Sequence, residues 1–131
     1  MSIFAELLMI HMKKKVVLLQ DNKEILEIMD QVLEEEGFDV IGSLTTEPIK
    51  NIDTIDPDIV IVDDHIKGTM KGSQVIKKLK SDPQTEDISA VLTSTSNNLA
   101  KEAADCNADD FIAKPFGIDD MIDVVKKNTD L

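Results

Sequence analysis

The chain alternates between short β-prone apolar runs and longer stretches whose apolar residues fall at helical spacing. That alternation limits its fold more than any other feature. Residues 16–19 and 59–62 are continuous apolar runs. A strand wetted on one face would alternate apolar and polar side chains, so a continuous run marks a strand covered on both faces. Residues 38–41, 88–93 and 111–113 read as three further strands. Between the first two, Ile25, Met29, Val32 and Leu33 outline a helix that stops near Gly37, with Asp21-Asn22 offering its cap. Thr46 is placed to cap a second helix, which has a proline in its first turn and Ile49, Ile52 and Ile55 as its stripe. Val75, Ile76 and Leu79 mark a third helix. Residues 97–106, rich in alanine, mark a fourth, and Ile118, Met121, Ile122 and Val125 mark a closing fifth. The order βαβαβαβαβα implies an α/β domain, a parallel sheet doubly wound with helices on both faces.

Composition narrows the function classes. At 131 residues and 42% hydrophobic content, the chain suits one domain with a sizeable core. Its 26 acids against 14 bases leave a net charge of −12, which argues against a nucleic-acid partner because phosphate backbones need a basic face. No apolar stretch reaches a membrane span. Cys106 is the one cysteine, so no internal disulfide forms and a cytoplasmic location is expected. Residues 1–12, "MSIFAELLMIHM", lack the basic start and cleavage site of a signal peptide. They read as an N-terminal extension (a docked helix, a partner-binding tail or an upstream start) ahead of a domain at 13–131.

In a doubly wound sheet, ligands bind beyond the carboxyl ends of the strands, where the strand order reverses. The residues expected there are Gln20-Asp21, Asp63-Asp64, Thr93-Ser94 and Lys114-Pro115. Two carboxylates brought together repel unless a cation or proton relieves them. An oxygen donor set without paired His or Cys favours Mg²⁺ over zinc. A lysine and a hydroxyl beside them suit phosphoryl transfer, in which positioning and charge neutralisation do most of the work. A carboxylate nucleophile would yield an acyl phosphate.

Two segments carry a resemblance to a known family. "PDIVIVD", ending at Asp63, and "DDFIAKPF", containing Lys114, resemble the phosphoacceptor and lysine-proline segments of response-regulator receiver domains of two-component signalling. The likeness runs over about residues 13–129. It implies the flavodoxin-like, CheY-like sheet of five strands in the order 2-1-3-4-5. It implies that Asp63 is the phosphoacceptor and that Asp21, Asp63 and the backbone carbonyl of His65 bind Mg²⁺. Ser94 would bond a phosphoryl oxygen, with Thr93 the rival if the register shifts by one. Lys114 would pair with Asp63 and then with the phosphoryl group, and the Lys114-Pro115 peptide would be cis. Phe111 takes the aromatic switch position, while His65 and Ser96 take the positions that tune phosphoryl lifetime.

The chain also departs from the family pattern. Gln20 stands where a second acid is usual; it can reach a metal through water but brings no charge, so weaker Mg²⁺ binding is expected. Asp64 would replace that charge only against the alternation of strand side chains. Asn107 stands where a glycine is usual, at a position that suits a left-handed turn. The loop "IKGTMKG" is longer than the common one and lacks its proline.

The resemblance implies a stand-alone receiver. It would be phosphorylated by a sensor histidine kinase or phosphotransfer protein and would act on a downstream protein or as a homodimer. The signalling face would comprise the fourth helix, fifth strand and fifth helix. It implies a phosphoacceptor rather than a conventional enzyme. Two other readings stay open. One is a degenerate receiver that serves as an interaction module. The other is a haloacid-type phosphatase, disfavoured because His65 stands where such enzymes need a second acid. Plainer readings also apply residue by residue: His11 and His65 as surface residues, Cys106 as a small buried residue, Phe111 as core, and Glu34–Glu36 as a solvated helix end.

Overall fold

The computed structural model describes residues 13–129 and, upstream of them, Ile3. The extension expected at residues 1–12, with its His11, otherwise lies outside the described residues. In chain order the elements are β1 (Lys15–Leu19), α1 (Lys23–Glu35), β2 (Asp39–Ser43), a 3-10 turn (Glu47–Asn51) that runs into α2 (Ile52–Ile55), β3 (Ile59–Asp63), α3 (Gly72–Ser81), β4 (Ser89–Ser94), α4 (Leu99–Asp105), β5 (Asp110–Ala113) and α5 (Ile118–Lys127). The strands pair in parallel in the order β2-β1-β3-β4-β5, the doubly wound sheet expected.

Strand alternation divides the core into two halves. Val17, Leu19, Val60, Val62, Ala90 and Leu92 turn to the side of α2, α3 and α4, where Ile52, Val75, Ile76, Leu79, Leu99 and Ala103 meet them. Val16, Leu18, Ile59, Ile61, Val91 and Ile112 turn to the other side, against Met29 and Leu33 of α1 and Met121 and Val125 of α5. The inner strands therefore read as unbroken apolar runs because each of their faces has its own helical cover. Burying one such side chain stabilises the fold by about 1.5–3 kcal/mol. Cys106 is buried in the first half of the core.

Local chemistry sets the element ends. Asn22 caps α1 by accepting from the Ile25 N–H at 3.1 Å. The helix stops at Gly37, whose φ of +94° suits glycine. There the Phe38 N–H reaches back to the Leu33 carbonyl at 3.0 Å, so Phe38 belongs to the helix stop and β2 begins at Asp39. Asn107 takes the left-handed conformation after α4, with φ +63°.

The second helix differs most from expectation. Only α2 is α-helical, and Thr46 does not cap the segment. Thr46 is tied instead to the loop after β3: its N–H donates to the Lys67 carbonyl at 3.0 Å, and its side chain sits against Gly68. Thr45 accepts the Glu47 N–H at 3.2 Å in its place. Ile118, expected in the apolar stripe of α5, is 47% exposed.

One titratable group in the frame is strongly perturbed. Burial, a hydrogen bond with Glu34 and the Glu34 charge raise the Asp30 carboxyl on α1 from 3.8 to about 6. A folded pKa above the unfolded value means that the folded chain holds the extra proton. Stability from this group is therefore full below the unfolded value and is lost as pH rises through about 6. Asp30→Asn should raise the melting temperature at pH 7.5, and the gain should shrink towards zero at pH 4, as followed by circular dichroism. A gain independent of pH would contradict this account.

Candidate functional site

The site is built from the level ends of β1, β3 and β4. Asp63 pairs in register with Thr93, and Leu19 pairs with Val62, so Gln20 follows β1 beside Asp63. Gln20 continues the alternation of Leu18, Asp63 that of Ile61, and Thr93 that of Val91, all on the α1/α5 side of the sheet. Three polar residues thus form one row across three strands. All are essentially buried: Gln20 and Thr93 at 0% exposure and Asp63 at 1%.

Asp63 would be costly as a lone buried carboxylate, and its surroundings supply donors. Its Oδ1 accepts the His65 N–H at 2.8 Å. Its Oδ2 accepts the Lys114 ammonium at 2.5 Å and the Thr93 hydroxyl at 3.2 Å. Lys114 Nζ also lies 3.3 Å from Asp21 Oδ1, so one ammonium is shared by the two acids. Lys114 follows β5; its backbone N–H bonds the Ser94 carbonyl at 2.9 Å, and the Lys114-Pro115 peptide is cis.

Gln20 takes part without bringing charge. Its Nε2 donates to the Leu19 carbonyl at 3.0 Å and to Thr93 Oγ1 at 3.1 Å. A carbonyl only accepts, so the amide must present nitrogen there, and the orientation of the carboxamide is determined. Gln20 Oε1 is then left buried with no partner among the described residues.

The neighbouring residues turn elsewhere. Asp64 is on the opposite side, where its Oδ1 accepts the Ser73 N–H at 3.1 Å and its Oδ2 lies 3.9 Å from Lys71 Nζ. It caps α3 and adds no charge to the Asp21–Asp63 pair. Ser94 also follows the opposite alternation. Its Oγ accepts the Ser96 N–H at 3.0 Å, and no bond joins it to Asp63 among the described residues. Ser96 Oγ in turn accepts the Asn98 N–H at 3.1 Å and donates to Glu102 Oε1 at 2.5 Å. Ser94, Ser96, His65, Lys71 and Cys106 border an open cavity of about 580 Å³. Burial pushes the Cys106 thiol pKa up. The His65 ring is largely exposed, with Nδ1 3.8 Å from Asp63 Oδ1. Phe111 on β5 is 39% exposed rather than core.

Of the residues singled out in the sequence, the structure joins Asp21, Asp63, Lys114 and Gln20 into one network and adds the His65 backbone. Ser94, Ser96 and Phe111 make no hydrogen bond to Asp63 through their side chains among the described residues. Thr93, named only as a rival for Ser94, makes the direct bond. The clue was its alternation with Val91, which puts it on the face of Asp63.

The donor set also fits Mg²⁺. No group of three His, Cys, Asp or Glu side chains placed to hold a metal ion exists among the described residues. Asp21 and Asp63 nevertheless offer two carboxylates side by side. The His65 carbonyl has no donor among the described residues, and Gln20 Oε1 is an unpartnered buried acceptor. All are hard oxygens, the donors that Mg²⁺ takes.

Comparison with known proteins agrees with this architecture. Residues 16–126 match the model of the response regulator receiver domain. A chain from Chloroflexus aurantiacus described as a response regulator superposes with a TM-score of 0.84 at 20% identity, covering 91% of this chain and 99% of its own. A CheY-like receiver domain protein from Methanospirillum hungatei gives 0.79 at 21% identity over 90% and 94% of the two chains. The chemotaxis response regulator CheY4 of Vibrio cholerae gives 0.79 at 18% identity over 88% and 98%. At these identities the structural likeness carries the fold. The chain belongs to the response regulator receiver domain family of two-component signalling. Among the described residues no helix is long and apolar enough to cross a membrane.

Gly72, the first residue of α3, packs against the backbone of Asp63 and Asp64. A Cβ there would lie 2.3 Å from the Asp63 carbonyl oxygen and 2.9 Å from Asp64 Cα. Backbone cannot yield as a flexible side chain does. Gly72→Ala should destabilise the fold by about 1–3 kcal/mol and shift the His65 amide resonance, which reads the Asp63 carboxylate. An unperturbed melting curve with an unshifted His65 amide would contradict this packing.

Proposed function

We propose that this chain accepts a phosphoryl group on Asp63, from a phosphohistidine of a sensor histidine kinase or phosphotransfer protein, in a Mg²⁺-dependent reaction. The observation that carries the reading is the buried Asp63 carboxylate sharing the Lys114 ammonium with Asp21. Asp63, Asp21 and the His65 carbonyl would hold the cation, with Gln20 Oε1 able to receive a hydrogen from a coordinated water. When bound, Mg²⁺ would neutralise the charge that develops on the transferring group.

The chain's own residues supply the rest. The Lys114 ammonium, now on Asp63 Oδ2, would move to the incoming phosphoryl oxygens as the Asp63–phosphorus bond forms and the donor's bond to phosphorus breaks. Ser94 would give up the Ser96 N–H and turn its hydroxyl to the phosphoryl group. Phe111, 39% exposed on β5, would move inward, changing the α4-β5-α5 face that a partner protein or a second copy reads. New charge-assisted bonds would drive that population shift. His65 and Ser96 would flank the route of a hydrolytic water and set the lifetime of the product. Asp63 would thus be a phosphoacceptor that assists its own chemistry rather than the centre of a conventional enzyme. A second reading, an interaction module without phosphorylation, draws on Gln20, whose neutral amide replaces an acid in the pocket.

Incubation with acetyl phosphate separates the two. Intact mass should rise by a single phosphoryl group in the native chain only when Mg²⁺ is present, and Asp63→Asn should stay unmodified. Absence of the adduct in the native chain would favour the interaction module. Gln20→Asp should tighten Mg²⁺ binding about tenfold, as titrated through the His65 amide; unchanged affinity would show that residue 20 does not reach the metal.

A further inference from the structure

We infer that Thr93 is a positioning residue for the phosphoacceptor, held in that role by Gln20. The inference rests on the phosphoacceptor reading of Asp63. Its structural basis is a directed chain of hydrogen bonds. Gln20 Nε2 donates to Thr93 Oγ1 at 3.1 Å, and Thr93 donates to Asp63 Oδ2 at 3.2 Å. Direction follows from chemistry: an ionised carboxylate only accepts, so the single hydroxyl proton of Thr93 goes to Asp63. Thr93 can then receive a hydrogen only from Gln20, whose other amide hydrogen is fixed on the Leu19 carbonyl at 3.0 Å. Each link therefore determines the next.

The relay distinguishes the two oxygens of Asp63. A carboxylate oxygen has two lone pairs. Oδ2 spends both, one on Lys114 and one on Thr93, whereas Oδ1 spends one on the His65 N–H. When Lys114 leaves for the phosphoryl oxygens, it releases one lone pair of Oδ2. Thr93 keeps the other and holds the carboxylate plane still. The released pair forms the bond to phosphorus, the phosphorus–oxygen bond of acetyl phosphate breaks, and acetate departs with that electron pair. No proton is needed from Thr93. The remaining lone pair of Oδ1 stays free for the cation.

The relay also accounts for Gln20 and Thr93 occurring together. An acid at position 20 would accept the Thr93 proton and compete with Asp63 for it. An amide cannot compete in this way because it presents nitrogen to Thr93. Gln20 and Thr93 lie on the strands that flank β3, so the hydrogen bond between them spans Asp63 while Thr93 alone bonds it.

The test compares Thr93→Val, which keeps the shape and loses the hydroxyl, with Thr93→Ser, which keeps the hydroxyl. Two readouts are used: the initial rate of acetyl phosphate labelling with Mg²⁺, and the side-chain amide resonances of Gln20. Thr93→Val should label about tenfold more slowly, the scale of one lost hydrogen bond to a charged group, and Thr93→Ser should restore most of the rate. The Gln20 amide resonances should move in Thr93→Val and also in Asp63→Asn, although no hydrogen bond joins Gln20 to Asp63 among the described residues. Labelling by Thr93→Val at or above the native rate would overturn the inference, as would a Gln20 amide indifferent to Asp63→Asn. A native chain that takes no label would defeat the phosphoacceptor reading alone. The Gln20 response to Asp63→Asn would then decide the relay by itself: movement upholds the chain of bonds, and indifference overturns it.

Discussion

One ammonium group between two carboxylates organises this end of the molecule. Asp63 is buried at the centre of the sheet edge, and Lys114 Nζ lies within bonding distance of both Asp63 and Asp21. Ionised Asp63 could not sit there alone without a desolvation cost of several kcal/mol, on the order of the penalty for an unpaired buried ion. The pair makes that burial tolerable and leaves it exchangeable. A lysine head is a compact charge on a flexible stem. Such a head can change partners by rotation about its own stem.

The fold makes that arrangement possible through its two-sided core. Both faces of the inner strands are fully covered, so the strand ends are held at a common level and their last residues become the floor of a site. Strand alternation then sorts these residues. Gln20, Asp63, Thr93 and Lys114 follow the α1/α5 side, while Asp64 and Ser94 follow the other. The sorting separates two acids adjacent in sequence, Asp63 and Asp64, into a buried partner of Lys114 and a helix cap. It likewise separates Thr93, bonded to Asp63, from Ser94, bonded to the turn before α4.

Much of this was legible in the sequence. The unbroken runs at 16–19 and 59–62 declared a sheet covered on both sides, and the helical stripes declared what covers it. Asp21, Asp63 and Lys114 stood out because acid, acid and amine fell at strand ends. Interactions between loops were not legible. Thr46 looked like a cap, but pairing with Lys67 and contact with Gly68 hold it elsewhere, and no local pattern reports that. A shift of one residue in β4 decided which hydroxyl meets Asp63, since a strand's two faces exchange with every residue. The Gln20 relay depends on a side chain reaching across Asp63 to the next strand, which periodicity along one strand does not encode.

Chemical trapping of the acyl group tests the central claim most directly. Borohydride reduces an aspartyl phosphate to homoserine and leaves free carboxylates intact. The native chain, treated with acetyl phosphate and Mg²⁺, then reduced, digested and sequenced by mass spectrometry, should carry that conversion at position 63 and at no other acid. Conversion at Asp21 or Asp64, or none at all under conditions that label a known receiver, would contradict the account.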